Sequence, residues 1–314
     1  MSDSAESLRR KIGTAGDLQS VVRTMKVLAA SSIGQYEQSV RALGDYYRTV
    51  ELGLSICLRG SPTAMLPSEG RESISDSCVC AVVFGSDQGL VGQFNDVIAD
   101  FAAKALATLP GKPQVWAVGE RVDARLSDAG LAVVGQYAVP NSVKAITPLV
   151  GQILLECETR RPHGRLTELH LFHNRPMPGA IYEPVQLRLL PLDEAWRSKL
   201  ATLPWPTKYL PEVIGGNVAT LRALIREYLF VSLFRACAES LASENASRLA
   251  AMQRADKNID ELLEDLNGTF HRVRQSGIDE ELFDVVSGFE ALRKKTAPRA
   301  GLGGHGIDSV AAAR

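Results

Sequence analysis

Two long stretches of this 314-residue chain repeat apolar residues at alternating intervals of three and four positions. The average spacing, ~3.5 residues, is the period of a coiled coil rather than that of a straight helix. Both stretches are much longer than an ordinary globular helix, which averages about 11–12 residues. The first stripe comprises Leu8, Ile12, Ala15, Leu18, Val22, Met25, Ala29, Ile33, Tyr36, Val40, Leu43, Tyr47, Val50 and Leu54. The second comprises Leu249, Met252, Ile259, Leu263, Leu266, Phe270 and Val273.

The chain between the two stripes is long enough to form a separate domain. We therefore expect an α/β protein in which residues 1–60 and 212–292 form a long antiparallel two-helix coiled coil, with a central domain over residues 76–192. Residues 61–76 are predicted to be a linker, and the basic tail 293–314 is predicted to be disordered. Paired helices of this length make a shaft, so the function should lie in what the shaft contacts.

The central residues alternate strand and helix patterns, which predicts a small Rossmann-like α/β domain. Its first strand is the continuous apolar run 79–84, typical of a strand buried on both faces. Further strands are predicted at 115–119, 132–137, 166–174 and 185–190, the last two as a hairpin, and helices at 94–108, 120–129 and 142–160. Residues 193–216 should be an irregular bridge. The first helix should be capped at Ser4, with Ser7 as the alternative cap. The last long helix should start near Asn217 and be interrupted or bent at Gly277.

The composition argues against several functional classes. A formal net charge of −1 gives no global attraction to nucleic acid. There is no apolar run of about 18 residues, so we do not expect a membrane span, and the chain starts without a signal segment. The five cysteines form no CxxC pair and are interpreted as buried, reduced thiols of a cytosolic protein. Because the histidines lack metal-ligand spacing and no catalytic motif occurs, we expect no catalytic residue, cofactor or metal.

One short segment, Gly85–Asn95, has the position of an anion-binding loop between a strand and a helix. Its glycine spacing is GxxxGxxG rather than GxGxxG, and it lacks the Lys-Ser/Thr pair of a phosphate loop. Three interpretations remain open: a tight turn, a protein contact surface and a nucleotide site. The basic residues of the first helix are likewise either a solvated face or a contact for an acidic partner.

Four blocks of the sequence, in order along nearly the whole chain, resemble the signature blocks of the gamma subunit of F-type ATP synthases. They are Met25–Ser31, Gly89–Asn95, Ser243–Met252 and Asn267–Leu292. The resemblance implies a non-catalytic, rotating central stalk. Its coiled coil would lie inside the hexamer of alpha and beta subunits, and its head, with the epsilon subunit, would rest on the membrane ring of c subunits.

The resemblance also implies which residues contact these partners. Arg274 and Gln275 match residues that hydrogen-bond loops of the catalytic subunits, and Met25 and Lys26 match a segment near the base of the hexamer. The head loop near the c ring and epsilon is matched by Gly89, Gly92, Phe94 and Asn95. The tip that turns in an apolar bearing is matched by Val285, Val286, Phe289 and Leu292.

Three features depart from the family pattern. Val91 stands where the Gly-Leu-Cys-Gly block has its cysteine, Ala15–Leu18 replaces the usual Asn-Thr start, and the chain continues past the usual end. These departures point to a divergent branch such as the sodium-type ATPase. A prokaryotic source is implied, with a peripheral location on the cytoplasmic face of the cell inner membrane.

Two other functions fit parts of the pattern. The segment Gly85–Asn95 between helical arms is compatible with a nucleotide-binding α/β protein, and the apolar stripes alone are compatible with a coiled-coil scaffold unrelated to ATPases. The tail, if ordered, would tune hydrolysis. Nucleotide titration tests the first alternative, and co-purification with a hexameric ATPase tests the second.

Overall fold

The computed structural model describes residues 4–59, 79–109, 113–160, 168–192, 194–213 and 217–296. The chain divides into two compact units, one formed by Ser20–Asp256 and the other by Met1–Gln19 with Lys257–Arg314. In chain order the elements are α1 (Ala5–Arg59), β1 (Val79–Phe84), α2 (Phe94–Leu106), β2 (Gln114–Val118), α3 (Glu120–Asp128), β3 (Ala132–Tyr137), α4 (Val143–Arg160), β4 (Glu168–Met177), β5 (Ala180–Leu190), α5 (Glu194–Ala201) and α6 (Asn217–Thr296).

The five strands form one sheet in the order β3-β2-β1-β4-β5. Pairing is parallel between β1 and its neighbours β2 and β4, and between β2 and β3. The hairpin β4–β5 is antiparallel. This mostly parallel sheet, with helices between its strands, confirms the predicted α/β class and the predicted hairpin.

Strand β1 is buried along its whole length because both faces of the sheet are covered. On one face, Val79, Ala81 and Val83 pack in a cluster with residues of α2 and α3. On the other face, Cys80, Val82 and Phe84 join a cluster that contains residues of α4, α1 and α6. A strand that is buried on both faces has a continuous apolar sequence, so the bounds of β1 could be predicted.

Within the unit Ser20–Asp256, α1 and α6 run antiparallel. Near one end of the pair, Lys26 binds Asp256 with Nζ 2.6 Å from Oδ2. Near the other end, the Tyr46 hydroxyl donates to Glu227 at 2.9 Å. In the second unit, the Gln19 amide donates to the Asp260 carboxylate. The predicted pairing of the two terminal helices is therefore confirmed.

The first helix buries one residue in every seven along most of its length. The buried positions include Leu8, Ala15, Val22, Ala29, Tyr36, Val50 and Cys57. A strict seven-residue repeat is the signature of coiled-coil packing. Leu18 was predicted to lie in this seam, but it is 54% exposed. The prediction was wrong at this position because a single partner helix covers only a narrow seam of the first one.

Three predictions of local structure need correction. Residues 193–216 are not wholly irregular, because α5 forms there, with Leu200 buried and the Trp196 indole donating to the Tyr228 hydroxyl at 3.1 Å. Helix α6 runs through Gly277 without interruption and continues to Thr296, so the predicted interruption is wrong, while a bend at Gly277 stays a prediction. The hairpin strands are longer than predicted and leave a tight turn at Gly179, where φ is 84°.

Other local predictions hold. The Ser4 hydroxyl accepts the Ser7 backbone N–H at 3.3 Å, which confirms the predicted helix cap. The division into ranges 1–60, 76–192, 212–292 and 293–314 remains a prediction. The whole linker, 61–76, lies outside the described residues, as does the tail beyond residue 296.

Candidate functional site

The segment Gly85–Asn95, here called the Gly-rich loop, joins β1 to α2 at the carboxyl edge of the sheet. Its two ends are joined by a reciprocal pair: Asn95 Oδ1 accepts the Ser86 N–H at 3.0 Å, and Asn95 Nδ2 donates to Ser86 Oγ at 2.8 Å. A Cβ on Gly85 would lie 2.3 Å from the Cβ of Val122. Glycine is required at this position because helix α3 approaches the backbone so closely.

Asp87, within the Gly-rich loop, caps the N-terminus of the neighbouring helix α3. Its Oδ1 accepts the N–H of Glu120, the first residue of α3, at 3.0 Å, and its Oδ2 accepts the Val139 N–H at 2.8 Å. A helix N-terminus attracts anions, but here the attraction is satisfied by the chain's own carboxylate. That negative charge would repel a phosphate group. The geometry therefore favours a tight turn over a nucleotide site.

The predicted contact residues of the loop are not equally accessible. Phe94 and Asn95 are buried inside the chain, whereas Gly89 is half-buried and Gly92 is exposed. Phe94 and Asn95 therefore shape the loop from within, and their contact role remains a prediction. Leu90, which sequence reasoning did not single out, is 61% exposed and has a φ of 62°.

The loop also contacts the C-terminal helix and the hairpin. The Ser247 hydroxyl on α6 donates to the Val91 carbonyl oxygen at 2.6 Å. The Asn174 amide on β4 donates to the Phe94 carbonyl oxygen at 3.1 Å. Two of the sequence blocks, Gly89–Asn95 and Ser243–Met252, are thus brought together by the fold.

The predicted contacts Met25 and Lys26 lie half-buried on α1. The Lys26 ammonium and the Arg23 guanidinium both bind the Asp256 carboxylate, at 2.6 Å and 3.1 Å. The hydrogen bond from Lys26 is the main reason that the pKa of Asp256 lies below its ordinary value. Lys26 is therefore engaged within the chain, while the adjacent Val27 and Leu28 are exposed apolar side chains that sequence reasoning missed.

Two glutamates buried on α6 have opposite electrostatic environments. Burial alone would raise the pKa of Glu239, but hydrogen bonds with His173 (2.8 Å) and Arg235 (2.7 Å) outweigh it and lower that pKa. Burial raises the pKa of Glu244, and Arg248, whose guanidinium lies 2.6 Å away, opposes the rise only in part. One helix thus carries one buried carboxylate stabilised in its charged form and one that is not.

The distal part of α6 presents apolar side chains to the outside. Five of them recur at intervals of four and three residues and are 55–70% exposed: Ile278, Leu282, Val285, Phe289 and Leu292, here called the distal stripe. Val286 beside it is also exposed. The predicted contacts Arg274 and Gln275 are exposed on the same helix. These positions are accessible to a partner, although their contacts remain predictions.

The described cysteines, Cys57, Cys80, Cys157 and Cys237, are buried thiols, as the sequence predicts. Burial raises the pKa of the Cys157 thiol to about 12, so it is unreactive at neutral pH. In the described ranges no group of His, Cys, Asp or Glu is arranged to hold a metal ion. None of the helices seen there combines the length and the apolar character needed to cross a bilayer.

Comparisons with known proteins agree with this architecture. A family model described as ATP synthase matches residues 4–292. A chain from the OSCP/F1/c-ring part of the Euglena gracilis mitochondrial ATP synthase in rotational state 3 has a TM-score of 0.61 at 18% identity, with 96% of this chain and 98% of that chain covered. A chain from the rotor of the same enzyme in rotational state 1 has a TM-score of 0.57 at 17% identity, with 87% and 98% covered.

A chain from the central stalk and c ring of the Tetrahymena thermophila mitochondrial ATP synthase has a TM-score of 0.50 at 20% identity, with 75% of this chain and 99% of that chain covered. At these identities the three structures show a shared fold. The family model adds a sequence match over nearly the whole length of the chain. The chain therefore belongs to the gamma-subunit family of the ATP synthases.

Proposed function

We propose that this chain is the rotary central-stalk subunit of an F-type ATP synthase. In that role it couples ion flow through the membrane c ring to ATP synthesis or hydrolysis in the hexamer of alpha and beta subunits. The observation that carries the proposal is the family match over residues 4–292. The similar solved chains come from assemblies named as a rotor, a central stalk and an F1/c-ring complex.

The subunit itself performs no chemistry. It acts by presenting different faces to successive catalytic subunits as it turns, so each orientation stabilises a different conformation of a nucleotide site. A ligand or partner shifts a conformational equilibrium only through contacts that differ between the states. An asymmetric stalk supplies such differences because its helices carry distinct side chains on each face.

The distal stripe suits a bearing. Its exposed apolar residues would pack in an apolar sleeve of the hexamer, where burial stabilises the contact at about 25 cal/mol per Å² without requiring a fixed orientation. Directional ion pairs would instead hold the stalk at one angle. Among the described residues these side chains are exposed, so α1 does not cover them.

Arg274 and Gln275 would hydrogen-bond loops of the catalytic subunits. Both are exposed, and a guanidinium binds a carboxylate with two parallel hydrogen bonds. The exposed edge of the Gly-rich loop would contact the epsilon subunit and the c ring. The segment of Met25 and Lys26 would lie near the base of the hexamer. This assembly would place the chain peripherally at the cytoplasmic face of the cell inner membrane.

Disulfide cross-linking of Arg274→Cys to a cysteine introduced in the beta subunit tests the proposal. The described native cysteines are buried, and Cys78 can be replaced by Ser, so the introduced thiol would be the reactive one. We expect oxidation to stop ATP turnover and reduction to restore it, because a tethered stalk cannot rotate. Full turnover with the cross-link formed would refute rotation at this position. The reduced complex is the matched control.

A further inference from the structure

Strand β4 carries a buried polar side chain on the face that packs against α6. Side chains alternate along a strand, so Leu169, Leu171 and His173 share one face of β4. Leu169 and Leu171 belong to the apolar cluster that also contains residues of α6. His173, which follows them on this face, is 4% exposed. A buried imidazole therefore continues a row that is otherwise apolar up to this point.

Glu239 on α6 binds this imidazole. The His173 Nε2 lies 2.8 Å from the Glu239 Oε2, and Glu239 is only 6% exposed. The pKa of Glu239 is lowered because its hydrogen bonds outweigh its burial, so the carboxylate is ionised at neutral pH and accepts the His173 Nε2–H. The Arg235 guanidinium, one turn earlier on α6, donates to the other oxygen, Oε1, at 2.7 Å. One oxygen of Glu239 thus binds the sheet, and the other is held by its own helix.

An ion pair elsewhere between the central domain and α6 differs in its surroundings. Glu158 on α4 and Arg226 on α6 lie 3.4 Å apart, with 52% and 69% of their side chains exposed. An exposed pair of this kind contributes little to stability. The hydrogen bond between His173 and Glu239 is shielded from water, where it is electrostatically stronger. Both pairs join the central domain to the same helix, so the main difference between them is burial.

The buried pair is better suited to fixing one arrangement than to stabilising the fold. The Nδ1 of His173 is buried and has no hydrogen-bond partner within the described ranges, which costs free energy. Apolar residues of similar volume in place of a buried ionic pair often give equal or greater stability. Apolar packing is non-directional, however, whereas a hydrogen bond requires a defined distance and angle. The pair therefore restricts how α6 can lie against the sheet.

We propose that His173 and Glu239 are positioning residues that fix the angle of the central domain relative to α6, so that rotation passes between them without slack. In the stalk, α6 would turn within the hexamer and the central domain would rest on the c ring, so torque crosses the contact between the two. Apolar packing alone would allow small angular motions at this contact. The consequence for rotation rests on the proposed stalk function, whereas the hydrogen bond belongs to the chain itself.

A double-mutant cycle on the full chain tests the coupling of the pair. Urea unfolding of His173→Leu, Glu239→Leu and the double variant is compared with wild type, and the same cycle at Glu158 and Arg226 is the matched control. We expect coupling to change the unfolding equilibrium constant about ten- to hundredfold for the buried pair, as for a hydrogen bond to a charged group. The exposed pair should give at most about fivefold. Equal coupling in the two cycles would overturn the proposal.

The double variant separates positioning from stability. His173→Leu/Glu239→Leu removes both buried partners and leaves Arg235, which is half exposed, to the solvent, so it should unfold near the wild-type urea concentration. In the complex with an immobilised, idle hexamer, a probe on Ser127→Cys, exposed on α3, reports the angle of the central domain; the background is Cys78→Ser. We expect the angular variance to rise about twofold or more in the double variant, because a hydrogen bond to a charged group exceeds thermal energy several-fold.

The exposed pair again supplies the control, because Glu158→Leu/Arg226→Leu should keep the wild-type variance. Glu239→Gln, which keeps the volume of the side chain and removes its charge, should give a smaller rise. Wild-type variance in both His173→Leu/Glu239→Leu and Glu239→Gln would overturn the positioning role. Failure of the wild-type chain to assemble with the catalytic subunits would refute the stalk function instead. The cycle on the chain alone would still decide whether the pair is coupled.

Discussion

The apolar stripe of α1 and the distal stripe of α6 have the same spacing, but the first is largely buried within the chain and the second is exposed. In α1, residues such as Val22, Tyr36 and Leu54 are buried against the rest of the chain. In α6, Leu282 and Phe289 are exposed. A heptad pattern shows that a helix face is suited to burial. It does not show whether the covering surface belongs to the same chain, and exposure in the folded chain supplies that information.

The largest expected effect is a difference in the free energy of unfolding between a substitution in the α1 stripe and the same substitution in the distal stripe. Leu54 is fully buried in the main cluster, so Leu54→Ala should lower the free energy of unfolding by about 2–5 kcal/mol. Leu282→Ala makes the same chemical change at an exposed position and should stay within about 0.5 kcal/mol. Urea denaturation of the isolated chain measures both variants.

The exposed leucine should matter only in the complex. If the distal stripe packs against the hexamer, Leu282→Ala should weaken association by about 1–2 kcal/mol, roughly tenfold in the dissociation constant. A large loss of stability in the isolated Leu282→Ala chain would show that the distal stripe is buried within the chain and would remove the contrast between the stripes.

Local patterns were sufficient to predict much of the fold. The apolar run 79–84 predicted β1 to the residue, and the ~3.5-residue spacing of the first stripe predicted burial at Val22, Ala29 and Tyr36. Both signals arise within one element, since burial on two faces or along one seam leaves a period in the sequence. Helix α5 was not predicted because it leaves no such period in the sequence. Its position depends instead on a tertiary contact, the hydrogen bond from Trp196 to Tyr228 on α6.

The site was less predictable for the same reason. Asp87 fills the N-terminus of α3 by accepting hydrogen bonds from Glu120 and Val139, which are distant in sequence. Ser247 reaches the Gly-rich loop from still farther along the chain. Glycine spacing could exclude a phosphate-loop motif, but it could not reveal which side chains close the loop. The strained backbone of Leu90 likewise has no counterpart in composition or period.

A smaller expected effect is the opposite pH dependence of the stability contributed by the two buried glutamates, Glu239 and Glu244. The pKa of Glu239 is lowered in the folded chain, so its contribution to stability is present above its ordinary value of 4.5 and is lost as pH falls through the folded pKa. Glu239→Gln should therefore lower the free energy of unfolding by about 1–3 kcal/mol at neutral pH. The difference from wild type should become smaller as the pH is lowered. The pKa of Glu244 is raised, so its contribution is present below 4.5 and is lost as pH rises through the folded pKa.

Denaturation of wild type, Glu239→Gln and Glu244→Gln across the acid range measures the two slopes. The wild-type chain should lose stability relative to Glu239→Gln as pH falls, and relative to Glu244→Gln as pH rises. Each variant controls for the other, because both replace a buried glutamate on α6 by its amide. Parallel curves for the two variants would show that the environments of Glu239 and Glu244 are alike.

The smallest expected effect lies between the paired helices, where the little-exposed carboxylate of Asp256 binds the more accessible side chains of Lys26 and Arg23. Its pKa is lowered chiefly by the hydrogen bond from Lys26, so the stabilisation is present above the ordinary value of 3.8 and is lost as pH falls through the folded pKa. Accessible ion pairs are screened by salt, whereas buried ones are screened much less. Lys26→Ala should therefore lower stability slightly at low ionic strength and not at high salt. Glu239→Gln should keep most of its deficit in both conditions. If Lys26→Ala lost as much stability at high salt as at low salt, this part of α1 would be as well shielded from water as the core. The contrast between covered and exposed helix faces would then begin farther along the chain.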